Sequence, residues 1–269
     1  MRYYSFAKAL LSFVPVMIFF CSFIACSEET NNEIINLGKW NQHNLAEVIK
    51  NKPNTTQAQI DFFSEQFLDT PYEASTLTGD INTPEIFTVN LEGMDCFTYI
   101  DYVEALRLSA TLEDFNNNLK DIRYRDGTIS FENRNHFFSD WPARNNKNVR
   151  DVTYEIGSNN AIAVEKNLNQ KSDGSKFLPG IPVVNRKIYY IPASEIDDDL
   201  LNKLHTGDYV GIYTDIEGLD VTHSGIIIKK DDGVYLRHAS SKKKNHKVVD
   251  EDLKEYIQNT PGMVIFRPL

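Results

Sequence analysis

The spacing of apolar residues changes along the chain, and this change constrains the fold more than any other feature. In the first half, apolar residues recur every three or four positions, which is typical of helices. The predicted helices cover residues 43–51, 56–67, 96–108 and 111–122. In the last third, short apolar segments predict strands at residues 187–191, 208–213, 221–229, 234–239 and 263–267. Helices followed by an antiparallel sheet predict an α+β fold.

The remaining segments give weaker patterns. A short strand is predicted at 86–89, and a turn at 125–127 is predicted to join the strand-like segments 122–124 and 128–131. Two further helices are predicted among the C-terminal strands, at 194–204 and 250–258. Residues 145–176 are polar and show little helical or strand periodicity.

The first 25 residues have the features of an export signal. Arg2 and Lys8 precede an almost wholly apolar run, 9–24, that is too short for a comfortable membrane span. The segment that ends in Ala25-Cys26 resembles a bacterial lipobox, so we expect cleavage after Ala25 and lipidation of Cys26. Secretion with cleavage near Ala25 and no lipid is the alternative.

The expected mature protein has two parts. Residues 26–40 begin with a polar, acidic stretch and are predicted to be a lipidated tether, and residues 41–269 are predicted to form one domain. Such a lipoprotein would attach to a membrane, which we expect to be the outer membrane of a Gram-negative bacterium, at its periplasmic face or at the cell surface.

The charge of the chain argues against nucleic acid as a partner. The 269 residues carry 28 Lys and Arg against 38 Asp and Glu, a formal net charge of −10. Removal of residues 1–25 takes away two basic and no acidic side chains, so the charge becomes −12. Nucleic-acid binding depends on clustered positive charge. The basic run at 242–247 is predicted to be a charged loop, with contact to lipid headgroups or acidic wall polymer as the alternative.

Cysteine usage singles out one residue. Cys21 lies in the predicted signal and Cys26 at the lipobox, so Cys96 is the one cysteine of the mature body. A lone thiol in an exported protein has no internal disulfide partner, and it is either a buried core residue or a chemically used one. Asp95 is a suitable N-cap, which places Cys96 at the first position of a helix. There, the helix dipole and free N–H groups favour a thiolate and a developing oxyanion.

Two histidines on predicted neighbouring strands are candidates for the base that such a thiol needs. His223 shares a strand face with Gly225, which leaves space beside the imidazole, although a core histidine is the alternative. A hairpin centred on Asp232 places His238 on the opposite face from His223. A shift of one residue places His238 opposite Gly225, on the same face as His223, and the sequence alone does not choose between the registers.

Several separated segments resemble the NlpC-type papain-like cell-wall hydrolases, in the same order, from about residue 60 to 241. Asp95-Cys96 matches the Asp-Cys nucleophile of that family. Four other segments are similar to family motifs: 67–72 to Gly-x-Pro-Tyr, 204–210 to Leu-x-x-Gly-Asp-Leu-Val, 223–226 to His-Val-Gly-Ile, and 238–240 to His-Ala-Ser. Asp69 stands where the family commonly has glycine.

The resemblance implies a papain-like core and the roles of its residues. It implies that Cys96 is the nucleophile, that His223 is the general base and later the acid, and that His238 orients His223. Tyr72 would lie beside the thiol and help to bind the reacting carbonyl together with Asp95, with plain packing as the alternative for Tyr72.

A long interval between Cys96 and His223 and the segment 135–141 make the chain similar to the larger N-acetylmuramoyl-L-alanine amidase-like branch. That branch implies cleavage between muramic acid and L-alanine, with a preference for anhydro-muropeptides from peptidoglycan turnover. Arg134, His136 and Trp141 would line the glycan pocket, with a buried scaffold role as the alternative.

Other functions stay open at this point. They are a D-glutamyl endopeptidase acting on stem peptides, an acyltransferase using the same thiol, and a non-catalytic wall-binding lipoprotein. His205 and His246 are expected to be solvated, and the histidines show no metal-binding spacing. We therefore predict no metal and no cofactor.

Overall fold

A computed structural model describes residue 1 and residues 33–144 and 147–269 of the chain. The predicted signal peptide, the lipidation at Cys26 and the tether up to residue 32 lie outside the described residues. Residues 32–269 belong to one compact unit. Among the described residues, no helix is long and apolar enough to cross a membrane.

The four helices predicted in the first half are confirmed to within two residues at each end. They are α1 (Gln42–Lys50), α2 (Thr56–Glu65), α3 (Cys96–Leu108) and α4 (Leu112–Arg123). Each begins after a polar side chain that accepts a hydrogen bond from a backbone N–H of the first turn, and these N-caps are Asn41, Thr55, Asp95 and Thr111. Four shorter helices follow, namely α5 (Asp140–Arg144), α6 (Thr153–Gly157), α7 (Asp198–Lys203) and α8 (Leu253–Ile257).

Ten strands are assigned among the described residues. Two of them, β1 (Ile34–Asn36) and β2 (Thr88–Asn90), form a small parallel pair. The others are β3 (Val149–Asp151), β4 (Ile162–Leu168), β5 (Val184–Pro192), β6 (Tyr209–Tyr213), β7 (Val221–Lys230), β8 (Gly233–Ala239), β9 (Val248–Asp252) and β10 (Gly262–Pro268). Their order in the main antiparallel sheet is β4-β5-β10-β6-β7-β8-β9, with β3 paired to β10. The α+β prediction is confirmed as a mixture of helices and antiparallel sheet.

Several local predictions are wrong. Residues 250–252 end strand β9 instead of starting a helix, because Asp252 is the N-cap of α8. The polar region 145–176 contains β3, α6 and β4. Strand β3 pairs with β10 and β4 pairs with β5, so both strands depend on partners outside this region. Helix α4 extends through residues 122–123, so no hairpin forms around 125–127, which is a short 3₁₀ turn. Helix α7 is shorter than the predicted 194–204, since 193–195 is a separate 3₁₀ turn.

The folded body also begins earlier than the predicted boundary at residue 41. Strand β1 pairs with β2, and the Trp40 ring packs edge-on against Phe67, with ring centroids 5.2 Å apart. Residues 34–40 are therefore part of the domain, and the predicted tether at 26–40 is too long at its C-terminal end. Because β1 is only three residues long and exposed, it shows little apolar pattern.

Helix α3 lies between other helices and the sheet, which fixes the position of its N-terminus. It packs against α2, α4, β7 and β8, so almost all of its residues after the first turn are buried. Glu104 pairs with Arg107 one turn later at 2.7 Å and accepts a hydrogen bond of 2.8 Å from the Tyr209 hydroxyl on β6. This buried polar cluster connects the helix to the sheet, because each charged group there has a partner.

Candidate active site

Cys96 is the first residue of α3 and is half-buried. The Asp95 carboxylate caps the helix, because its Oδ1 atom accepts hydrogen bonds from the N–H groups of Phe97 at 3.0 Å and Thr98 at 2.7 Å. The sequence-based expectation of several free N–H groups at this helix start is therefore wrong. The N–H of Cys96 itself lies outside this capping interaction.

The environment of the thiol favours its neutral form. Burial, followed by the negative charge of Asp95, raises the pKa of Cys96 to about 11, although hydrogen bonds from Ser224 act in the opposite direction. The expectation that the helix N-terminus would lower this pKa is not met, since burial and then the charge of the capping carboxylate outweigh the helix dipole. The resting group is a thiol, and it needs a base before it can attack a carbonyl.

Strand β7 holds His223 beside the thiol. Ser224, the next residue, donates a hydrogen bond of 2.9 Å from its hydroxyl to the Cys96 carbonyl oxygen, which fixes the helix start against the strand. Cys96 and His223 line the same cavity of about 150 Å³, together with Phe97, His136 and other residues. We refer to this space as the thiol cavity. The predicted proximity of Cys96 and His223 is thus present in the fold.

The strand register places His238 next to His223. Ile226 pairs with Arg237, so Gly225 faces His238, and the two-residue turn is Asp231-Asp232. This is the shifted register of the two that the sequence left open. The Nε2 atom of His223 lies 2.6 Å from Nδ1 of His238, and the two rings are perpendicular.

Both imidazoles are neutral. Burial, together with the neighbouring His238 and Lys242, lowers the pKa of His223 to about 3. Burial likewise lowers the pKa of His238 to about 4, although the carboxylate of Glu251 raises it in part. A neutral imidazole can accept a proton from the thiol, so this protonation state suits a general base.

Two tyrosines lie near the thiol and the two imidazoles. Tyr72 is half-buried, and its pKa is raised by burial, then by Cys96 and Asp95, so its hydroxyl stays protonated. Its backbone N–H donates to the carbonyl of His246 at 3.0 Å, which fixes the segment beside the thiol. Tyr256 on α8 packs against both imidazoles, with its ring centroid 5.1 Å from that of His238.

A second cavity of about 440 Å³ adjoins the thiol cavity and shares Phe97 and His136 with it. Asp95 and Arg134, two residues that the sequence analysis expects near the substrate, also line it. We refer to this space as the large cavity. His136 is held in place by a 2.7 Å contact between its Nε2 atom and the Phe131 carbonyl oxygen.

Trp141 occupies a different position from the other predicted glycan contacts. It is 1% exposed, its indole N–H donates to Asp101 at 3.3 Å, and its ring packs edge-on against Tyr209. This position agrees with the alternative that the sequence left open, in which Trp141 is a buried scaffold residue. The expected exposure of His205 and His246 is confirmed.

Sequence reasoning missed the carboxylate behind the two histidines. Oε2 of Glu251 on β9 lies 2.9 Å from Nε2 of His238. The helix predicted at 250–258 hid this contact, because a helix does not place residue 251 beside β8. The adjacent valines Val248 and Val249 favour a strand and were the one local signal for it. Residues 242–247 form a charged segment as expected, but Lys242 and Lys244 pair with Glu251 instead of being fully solvated.

Solved structures of other proteins share this arrangement of helices and sheet. An N-acetylmuramoyl-L-alanine amidase from Bacteroides uniformis superposes with a TM-score of 0.69 and 27% sequence identity, covering 80% of this chain and 99% of that one. A putative xylanase from Bacteroides fragilis matches with a TM-score of 0.64 and 29% identity, covering 76% and 99%. A Legionella pneumophila protein at 24% identity and a TM-score of 0.71, covering 85% and 94%, supports the fold alone. No curated protein matches the chain.

The fold and the grouped thiol and imidazoles define an α+β protein with a candidate hydrolase site. The chain belongs to the AmiA-like family, described as N-acetylmuramoyl-L-alanine amidase-like, whose sequence model matches residues 62–263. The family indicates an amidase-like hydrolase with a peptidoglycan-derived substrate.

Proposed function

We propose that this protein is a cysteine amidase that hydrolyses the amide bond between N-acetylmuramic acid and L-alanine in muropeptides, including anhydro-muropeptides. One observation carries the proposal: Cys96 and His223 line one cavity, and Nε2 of His223 is hydrogen-bonded to Nδ1 of His238. A nucleophile, a base and a group that orients the base are the three parts that acyl transfer by a side chain requires. In this proposal the domain has a papain-like arrangement, with the nucleophile on a helix that packs against the sheet bearing the base.

The first step is attack on the amide carbonyl. The neutral imidazole of His223 takes the proton of the Cys96 thiol, so the S–H bond breaks and an N–H bond forms. The thiolate then forms a C–S bond with the carbonyl carbon, and the carbonyl oxygen becomes an oxyanion. Because the resting thiol is neutral, proton transfer and attack are coupled, which distinguishes this site from one with a preformed thiolate.

We assign two donors to the oxyanion. The first is the backbone N–H of Cys96, since the Asp95 side chain engages the next two N–H groups. The second is the hydroxyl of Tyr72, which stays protonated because its pKa is raised. Preorganised donors of this kind contribute several kcal/mol to transition-state stability.

The intermediate then breaks down by release of the peptide amine. The imidazolium of His223 donates its proton to the leaving nitrogen of L-alanine, and the C–N bond breaks to leave a thioester on Cys96. A water molecule attacks the thioester and gives its proton to His223. The C–S bond then breaks, the departing thiolate takes this proton back from His223 to restore the thiol, and the lactyl carboxylic acid of the sugar leaves and ionises in water.

The paired cavities suit a substrate with two bulky halves on either side of the scissile bond. The thiol cavity and the large cavity meet at Phe97 and His136, next to the thiol. We propose that the polar residues lining the large cavity, including Arg134, contact the substrate. Trp141 supports the cavity wall from the core, where it lies within ring-contact distance of Phe97.

The N-terminal sequence supports a location where such substrates occur. An export signal followed by a lipidated Cys26 would hold the domain at the outer membrane through the tether that precedes residue 33. Muropeptides released by wall turnover would then reach the domain from the periplasm or from outside the cell.

Product analysis tests which bond is cut. The purified protein is incubated with anhydro-muropeptides and with unmodified muropeptides, and the products are identified by mass spectrometry. The proposal predicts an intact stem peptide and a free sugar acid. Cleavage after D-glutamate would instead identify the endopeptidase alternative, transfer of the acyl group to an added amine would identify an acyltransferase, and binding without turnover would identify a wall-binding protein.

A further inference from the structure

A chain of polar groups extends from the thiol cavity to the protein surface. His223 contacts His238, and His238 contacts Glu251 at 2.9 Å. Glu251 accepts hydrogen bonds from the ammonium of Lys242 at 3.2 and 3.3 Å, and the ammonium of Lys244 lies 3.5 Å from its Oε1 atom. His238 is fully buried, whereas the two lysines are exposed.

We propose that Glu251 is a positioning residue of this site, which selects the tautomers of His238 and His223 and so makes Nδ1 of His223 the basic atom. The inference rests on the proposed function, in which His223 takes the proton of Cys96. Within that function, Nδ1 of His223 accepts the thiol proton and Glu251 keeps that nitrogen unprotonated.

The tautomers follow from hydrogen-bond complementarity. An ionised carboxylate only accepts hydrogen bonds, so Nε2 of His238 must carry the hydrogen that points to Glu251. A neutral imidazole has one N–H, so Nδ1 of His238 is an acceptor. Nε2 of His223 lies 2.6 Å from that acceptor and must donate to it. The remaining nitrogen of His223, Nδ1, is therefore unprotonated and able to accept the thiol proton.

These tautomers require an ionised Glu251, and the surroundings of Glu251 favour its ionised form. Burial alone would raise the pKa of Glu251, but the hydrogen bond and the charge of Lys242, with a contribution from His238, outweigh burial and lower that pKa. Lys242 is held in place by a second contact, since its ammonium lies 4.0 Å from the centroid of the Tyr256 ring. Tyr256 packs in turn against both imidazoles, so it connects Lys242 to the two histidines.

The opposite tautomers would inactivate the site. If Nδ1 of His238 carried the hydrogen, it would donate to Nε2 of His223, and the hydrogen of His223 would move to Nδ1. The atom that must accept the thiol proton would then already be protonated. An ionised Glu251 also favours the positive charge that forms on the two imidazoles during attack.

The substitution Glu251→Gln reverses this selection without a change of shape. Lys242 and Lys244 attract the amide oxygen, so the amide NH₂ group turns to Nε2 of His238 and donates to it. We expect kcat to fall by up to about 10⁴-fold, the size of the loss when an imidazole tautomer is reversed, with KM nearly unchanged. Glu251→Asp retains the carboxylate and should keep more activity than Glu251→Gln. Glu255→Gln, an exposed glutamate four residues away, is the matched control and should have the wild-type rate.

Nitrogen-15 NMR of histidine-labelled protein measures the tautomers directly, with the His238 signals assigned by their loss in His238→Asn. The wild-type protein should show a hydrogen on Nε2 of His238 and none on Nδ1 of His223, and Glu251→Gln should show the reverse. A wild-type protein with the hydrogen on Nδ1 of His238 would overturn the proposal. So would a Glu251→Gln variant that loses activity with unchanged tautomers, since the role would then be structural. If the wild-type protein hydrolyses no muropeptide, the proposed function fails, while the NMR result still decides the role of Glu251.

Discussion

A Cβ atom placed on Gly225 would lie 2.9 Å from the Cβ of His238 on the paired strand. Contacts this short do not occur between packed carbon atoms, so any side chain at position 225 must push His238 away. The side chain of Leu236 and the carbonyl of Arg237 are equally close to that position. Gly225 is therefore required by close approach, and the 2.6 Å contact between the two histidines depends on it.

We expect Gly225→Ala to reduce kcat at least about 10-fold, because displacement of His238 leaves His223 without its orienting partner. The overpacking should also lower the free energy of unfolding by about 1–3 kcal/mol. Steady-state kinetics and urea denaturation measure the two effects. Gly233→Ala on the same hairpin is the control, since the nearest atom to its added Cβ would be 3.7 Å away. If Gly233→Ala lowered kcat and the free energy of unfolding as much as Gly225→Ala, the close-approach role of Gly225 would be contradicted.

The lowered pKa of His223 predicts activity at acidic pH. The base acts only when it is unprotonated, and a pKa lowered to about 3 keeps it unprotonated as the pH falls well below neutrality. We expect kcat/KM to change little between pH 7 and pH 5, whereas a histidine with the ordinary pKa of about 6.5 would lose roughly 30-fold over that range. The pH profile of kcat/KM is the measurement, with circular dichroism to verify folding at each pH. A loss of activity centred near pH 6.5 would contradict a neutral base with a lowered pKa.

Ser224 is expected to set both the position and the reactivity of Cys96. Its hydroxyl donates to the Cys96 carbonyl oxygen, and its hydrogen bonds oppose the rise in the thiol pKa. Ser224→Ala should slow alkylation of Cys96 by iodoacetamide at pH 9, because a smaller fraction of the thiol is ionised. It should also cost about 1 kcal/mol of stability for the lost hydrogen bond. Thr222→Ala, at an exposed position of the same strand, should do neither, and a similar slowing in both variants would argue against a specific role for Ser224.

The buried pair of Glu104 and Arg107 is expected to hold α3 in place. Glu104→Leu leaves the 6%-exposed Arg107 without its carboxylate partner and removes the acceptor of the Tyr209 hydroxyl. Removing one partner of a buried ion pair lowers the free energy of unfolding by about 3–5 kcal/mol, which urea denaturation should detect. Glu65→Leu, at an exposed position of α2, serves as the control. If Glu104→Leu lowers the free energy of unfolding by less than about 1 kcal/mol, the ion pair is not needed to hold α3 in place.

The helical half of the fold and the central residues of the site were predictable because their signals are local. Helix α3 has an N-cap and a regular apolar spacing, and the residue that follows the cap, Cys96, was placed correctly on that basis. The strand carrying His223 was also clear, but its register against His238 was not. Register depends on the length of the turn at 231–232, and both candidate pairings fitted the alternating pattern.

The parts that could not be predicted depend on contacts distant in sequence. Glu251 meets His238 only because β9 pairs with β8, and the polar residues around it resemble a helix start when taken alone. Trp141 is the opposite case, since the resemblance of the aromatic segment 135–141 to the amidase-like branch suggested contact with the glycan. Its burial depends on Tyr209 and Asp101, from elements 40 or more positions away in the chain.

The most direct test of the central claim compares the wild-type protein with Cys96→Ala on one anhydro-muropeptide of known stem peptide, with release of that peptide followed by mass spectrometry. Both proteins are first shown to have the same circular dichroism spectrum and unfolding midpoint. We predict that the wild-type protein releases the intact stem peptide and that Cys96→Ala releases it at least about 10³-fold more slowly. Release by Cys96→Ala at a rate near that of the wild type would contradict the assignment of this thiol as the nucleophile.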